Sequence, residues 1–254
     1  MKRRQILRYL SASSLGLATA AIAARSSAQT AETLEIEYFG HTCFTFTTGD
    51  LKILVNPFRP GGCTAGFAAP RVAADWVLVS SLLLDEGALD GLERDKVLYE
   101  SGVYDLFDRG IQFQGIRTDH DRVGGRRFGT NVAWRWTQAG IKILHLGGIA
   151  GPLTDEQLLL TGRPDVLFVP VGGSAKAYNA REARDAIARL RPKIVVPTHY
   201  RTAAADDTCE IDPLEAFLAV MEGTPVRRTG TTLTLTEADI PSSGTIVHVF
   251  SPPV

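Results

Sequence analysis

The stretch Asp75-Trp76-Val77-Leu78-Val79-Ser80-Ser81-Leu82-Leu83-Leu84-Asp85-Glu86 sets the reading of the whole chain. Its first half is a short continuous apolar run, which predicts a strand buried on both faces. Its second half leaves that strand and ends on two adjacent carboxylates. Such a pair has two readings. Asp85 and Glu86 can bind a cation or share a proton between them. They can also cap and charge the first turn of a short helix over residues 88–93, a role that needs no ligand.

Outward from this stretch the pattern is mostly strands. Residues 34–38 and 43–47 alternate apolar and polar, Thr48-Gly49-Asp50 reads as a turn, and residues 52–55 form a third strand, so the region opens as a β-meander. Residues 57–70 hold three Gly and three Pro and read as a loop. Further strands are expected over 111–116, 132–137 and 141–146, the last two joined through Gln138-Ala139-Gly140. Buried strands follow at 166–169 and 194–196. Between them residues 180–190 predict a helix, with Asn179 as cap, Glu182 at box spacing and Pro192 beyond its end. Asp212-Pro213 starts a second helix to about residue 221, and residues 231–236 and 245–250 are strand-like. Strands first and helices later suit a layered α/β sandwich better than a regularly alternating parallel sheet.

The 254 residues are 44% hydrophobic and 22% charged, with a net charge of -1. That balance is ordinary for a globular protein and argues against nucleic-acid binding, which needs a basic excess. The N-terminus has its own signature. Lys2, Arg3 and Arg4 precede an uncharged, small and apolar run over 10–24, and Ser26-Ser27-Ala28 offers a cleavage site. Arg3-Arg4 followed by Gln5-Ile6-Leu7-Arg8 is similar to a twin-arginine signal. The expectation is an export signal over residues 1–28, a single domain over 29–254, delivery to a periplasm or equivalent lumen, and no transmembrane segment after the signal. Cys43, Cys63 and Cys209 read as three buried thiols; in an oxidising compartment one disulfide is the alternative, from Cys63 or Cys43 to Cys209. No G-x-S-x-G, P-loop or G-x-G-x-x-G element is present.

Several segments together resemble one family. Tyr38-Phe39-Gly40-His41, Ile53-Leu54-Val55-Asn56-Pro57, the Asp75–Ser80 strand, His145-Leu146-Gly147, Val169-Pro170-Val171-Gly172-Gly173 and Pro197-Thr198-His199-Tyr200 occur in the order and spacing of the metallo-β-lactamase superfamily. The last two are similar to its ascorbate-6-phosphate-lactonase-like branch. The resemblance implies a four-layer αββα sandwich and a hydrolase whose two metal ions activate a bridging water. It also implies where ligands should stand. Of the H-x-H-x-D-H loop this chain has Ser81, Leu83, Asp85 and Glu86; the later His positions are His120 and His199; the bridging Asp position is Gly148.

The first metal position is thus left with the single imidazole of His120, and zinc needs three or four protein ligands. The second retains Asp85 and His199 with Glu86 as an oxygen donor, a set for one divalent ion, Mn, Fe or Zn, or for none. The implied roles are Asp85 and His120 in catalysis, Asp85, Glu86 and His199 on metal, and His41 and Tyr200 on substrate. The structural alternatives are polar relics for His120 and His199, a satisfied core residue for His145 and packing for Trp134 and Trp136. The expected function is a non-catalytic scaffold binding a small molecule or protein partner. The alternative is a single-metal hydrolase of lactones, phosphodiesters or other esters.

Overall fold

The computed structural model describes residues 32–106 and 109–253, so the export signal read over residues 1–28 lies outside them. The chain opens with the expected meander, β1 (Leu34–Gly40), β2 (Cys43–Thr48) and β3 (Leu51–Val55), followed by β4 (Trp76–Leu78) and β5 (Val97–Leu98). Four further strands follow, β6 (Gly102–Leu106), β7 (Ile111–Asp119), β8 (Thr130–Gln138) and β9 (Ile141–His145). Helices then alternate with strands: α1 (Asp155–Thr161), β10 (Val166–Pro170), α2 (Ala180–Leu190), β11 (Ile194–Thr198) and α3 (Leu214–Val220), before β12 (Val226–Thr229), β13 (Thr232–Leu235) and β14 (Ile246–Phe250).

Two sheets result, one of six strands ordered β13-β1-β2-β3-β4-β5 and one of eight ordered β12-β14-β11-β10-β9-β8-β7-β6. Their facing sides close over one apolar core. Phe44 sits at its centre, 4.8 Å from the Phe168 ring and 5.5 Å from the Phe250 ring, with Trp134 and Trp136 buried beside it as packing residues. Strands β10 and β11 are buried along their whole length, as parallel central strands must be. The helices cover the outside of the eight-stranded sheet, where Ala183, Ile187, Leu190 and Phe217 pack on Leu167 and Val195. Asn179 caps α2 through the N–H groups of Arg181 and Glu182, and Glu182 returns a bond to the Asn179 N–H, the expected capping box.

The outside of the six-stranded sheet differs from expectation. No helix forms over residues 88–93. Gly87 packs against the Ser81 carbonyl, where a Cβ would overlap it, and Gly91 takes φ +76°, so the segment turns twice. It lays Leu89 and Leu92 on Val77 and Val79 as a loop. The outer layer there is loop and two short 3-10 turns among the described residues. Asp85 and Glu86 therefore cap nothing. The reading of three buried thiols is also corrected: Cys63 and Cys209 form a disulfide across 146 residues, and only Cys43 is a buried thiol. Among the described residues no helix is long and apolar enough to cross a membrane.

Candidate functional site

The C-terminal ends of the buried parallel strands open onto one edge of the sandwich, where ligand sites of such sheets commonly lie. β11 delivers His199, the β1–β2 turn delivers His41, β9 runs into Gly147-Gly148, and the segment leaving β4 carries Ser80 to Glu86. The backbone is strained here. His41 (φ 57°), His199 (φ 52°), Asn56 (φ 50°) and Ser174 (φ 65°) all take left-handed conformations, uncommon for non-glycine residues and frequent at functional sites. Hydrogen bonds hold that shape: the His199 N–H donates to the His41 carbonyl at 3.2 Å and the Ser80 N–H to Asn56 Oδ1 at 2.8 Å. Asn131 fixes the opposite wall, donating to Thr118 Oγ1 and the Leu146 carbonyl while accepting the Gly148 N–H at 2.9 Å.

The acidic pair splits in two directions. Asp85 points to His41 and His199: one donor atom from each of these three residues lies within 4.8 Å of the others. The His41 and His199 rings stand 4.2 Å apart, and His41 Nε2 is 3.9 Å from Asp85 Oδ2. The Lys176 ammonium, from the loop after β10, donates to the same Asp85 oxygen. Glu86, grouped with Asp85 and His199 in the sequence reading, instead turns inward. It accepts the Ser81 hydroxyl at 3.3 Å and lies 3.7 Å from His120 Nε2.

Protonation follows the surroundings. Burial pushes His41 and His120 down to about 4, and lowers His199 as well, so all three are neutral imidazoles near neutral pH. Burial alone would raise Asp85; His41 and Lys176 outweigh it and bring the carboxyl down to about 2. Glu86 goes the other way, to about 8, because it is buried and faces the Asp85 charge. One carboxylate and one protonated carboxylic acid thus sit on neighbouring residues.

Ser81 is buried against Glu86, and Leu83 lines the cleft with an apolar side chain. Gly148 faces His120 and Glu86: a Cβ there would overlap His120 Nε2 and stand 2.8 Å from Glu86 Oε1. Tyr200 is buried among core residues, bonded to Tyr38, and does not line the cleft. His145 is the satisfied core histidine expected, its Nε2 3.1 Å from the Thr42 carbonyl while Nδ1 accepts the Gly147 N–H. Lys176 escaped sequence reading altogether, since nothing in its loop marks it and its partner is 91 residues away.

Above Asp85 and His199 lies a cleft of about 620 Å³ whose walls include Arg59, Leu83, Arg127, Lys176 and the Cys63–Cys209 bridge region. Its volume falls in the range of small-molecule sites. Because the space at Gly148 is taken, Gly148→Ala is expected to cost about 1–3 kcal/mol in a denaturant titration. Gly230→Ala, where a Cβ meets nothing within 4 Å, is the matched control and should cost far less. Equal, small losses in both would contradict this packing.

Comparisons with known proteins agree with the fold. The profile of the beta-lactamase superfamily domain matches residues 35–199. A UPF0173 protein of Pyrococcus furiosus is 48% identical over 192 residues, 68% of this chain and 87% of that one. A UPF0173 metal-dependent hydrolase of Carboxydothermus hydrogenoformans is 27% identical over 195 residues, covering 66% and 85% of the two chains. Among solved structures, one from Thermotoga maritima, described as a Zn-dependent hydrolase of the metallo-β-lactamase superfamily, aligns with TM-score 0.66 and 28% identity. It covers 85% of this chain and 98% of its own.

Proposed function

The chain belongs to the metallo-β-lactamase superfamily, and from that premise we propose that it is an exported, ligand-binding member that does not run two-metal hydrolysis. Its similar relatives are named metal-dependent hydrolases, so the reading is a departure from them. The observation that carries it is the space around Gly148. Where the family's bridging carboxylate would stand, His120 and the Glu86 carboxyl already fill the volume a side chain would need. The donor set there does not fit an ion: Leu83 and Gly148 bring no donor, and Ser81 is spent on Glu86. Without an ion at that position no hydroxide can be bridged between two metals, so the activating step of the family chemistry has no place to occur.

What remains is a cleft lined by the basic side chains of Arg59, Arg127 and Lys176, with Asp85 and the left-handed His199 in its wall. That architecture binds a small polar molecule by pre-formed contacts. The Cys63–Cys209 bridge supports delivery to an oxidising compartment, as does the twin-arginine-like segment. The test is turnover of lactones, phosphodiesters and simple esters by the purified protein in excess Zn²⁺ or Mn²⁺. The expected rates equal background for each class. Turnover that disappears in His120→Ala would overturn the reading.

A further inference from the structure

We infer that His41, Asp85 and His199 form a site for one first-row divalent cation, with the Lys176 ammonium as the group that holds Asp85 until the ion displaces it. The site differs from the trio read from the sequence, because His41 from the first turn of the sandwich replaces Glu86. Three observations carry this. The donor atoms of the trio lie within 4.8 Å of one another. Bonds near 2.1 Å in tetrahedral geometry put donors about 3.4 Å apart, so the set must draw in by about an ångström.

The second observation concerns unmet bonds. Both ring nitrogens of His41 and Nδ1 of His199 are buried and have no hydrogen-bond partner among the described residues. The rings are 2% and 1% exposed. Buried polar atoms are nearly always satisfied, as those of His145 are. His120 and Glu86 Oε1 are unpartnered too, but among the described residues only His41, Asp85 and His199 bring three donors within reach of one point. Third, both histidines are held at left-handed φ and joined by a backbone hydrogen bond, which fixes the two backbone positions from which the rings project and leaves the rings free to draw in on an ion. Two imidazoles and one carboxylate with open positions suit zinc or ferrous iron better than calcium or magnesium, whose ligands are oxygens.

Lys176 stands 25% exposed beside a carboxylate that is 22% exposed. The ammonium neutralises Asp85 in the metal-free protein and can withdraw into the cleft, so it competes with an incoming ion at the same oxygen.

The experiment is a calorimetric titration of chelator-treated, full-length protein with Co²⁺ or Zn²⁺, with the Co²⁺ visible absorption as a second readout of coordination. One ion per chain is expected. His41→Asn is the chosen variant because Asn tolerates left-handed backbone, and it should weaken binding at least about a hundredfold. Lys176→Met should tighten it about fivefold to tenfold. Glu86→Gln should leave it within about twofold. No binding in either wild type or Lys176→Met would overturn the inference. So would binding kept in His41→Asn but lost in Glu86→Gln, which would assign the ion to the other carboxylate. Two ions per chain would instead overturn the proposed function, so the two failures are distinct.

Discussion

Reducing the Cys63–Cys209 bridge is expected to cost on the order of 4–5 kcal/mol, a large share of a typical domain's stability. The bridge closes a loop of 146 residues, and in the chain-entropy account the constraint it places on the unfolded state grows with that length. It joins the loop after β3 to the loop after β11, which also meet through Gly66 N–H to the Ala204 carbonyl at 2.7 Å, Gly62 N–H to Asp206 Oδ2 at 3.0 Å and the packing of Ala204 beside Phe67. Urea titration of the wild type with and without reductant, and of Cys63→Ser, measures the effect. Cys43→Ala, outside the bridge, should keep the full response to reductant. A shift under about 1 kcal/mol on reduction would show that the bridge adds little to what those loops already hold.

The second large effect is on acid. Five buried histidines are held below their usual value, chiefly by burial: His41 and His120 at about 4, His145 at about 3, and His199 and His248 lowered too. Each titrates near 6.5 when unfolded, so below that pH the unfolded chain binds protons that the native state refuses. The stability they contribute is present above 6.5 and is lost as pH falls towards 4.

Glu86 has the opposite sign. Raised to about 8, it contributes stability that is full below its unfolded value near 4.5 and is lost as pH rises through 8. Between 4.5 and 6.5 five lowered histidines oppose one raised glutamate, so the histidines win and the protein loses on the order of several kcal/mol as pH falls over that span. Stability should therefore peak near pH 6.5, fall steeply on the acid side and gently on the alkaline side. Melting temperature against pH reads this directly, and Glu86→Gln should flatten only the alkaline limb. A curve flat from pH 5 to 8 would contradict the burial of these groups.

Much of the fold is legible in the sequence. The meander, the buried parallel strands and α2 follow from alternation, continuous apolar runs and the Asn179–Glu182 box. Helix α1 carries the same kind of box, Thr154 with Gln157, but its short exposed leucine run hides it. Edge strand β6 (Gly102–Leu106) is short and largely exposed, and edge strand β12 (Val226–Thr229) is polar and exposed, so no buried hydrophobic period announces either. The helix expected over residues 88–93 gave way to tertiary packing at Gly87 and a left-handed Gly91.

At the site, the sequence named Asp85, His120 and His199 but paired Glu86 with the wrong side of the cleft. Neighbouring residues in an irregular segment need not share a direction, and only the close packing at Ser81 and Gly148 turns Glu86 inward. Lys176 gave no signal because a lone lysine after a glycine pair is ordinary, and its meaning comes entirely from the carboxylate it meets.

The proposed function requires that the cleft hold no two-ion centre. Native mass spectrometry of the full chain, loaded with excess Zn²⁺ and then passed through a desalting step, counts bound ions per chain. The expected result is at most one, removed in Asp85→Ala. Two ions per chain, with one lost in His120→Ala, would contradict it and restore the family's hydrolytic chemistry to this protein.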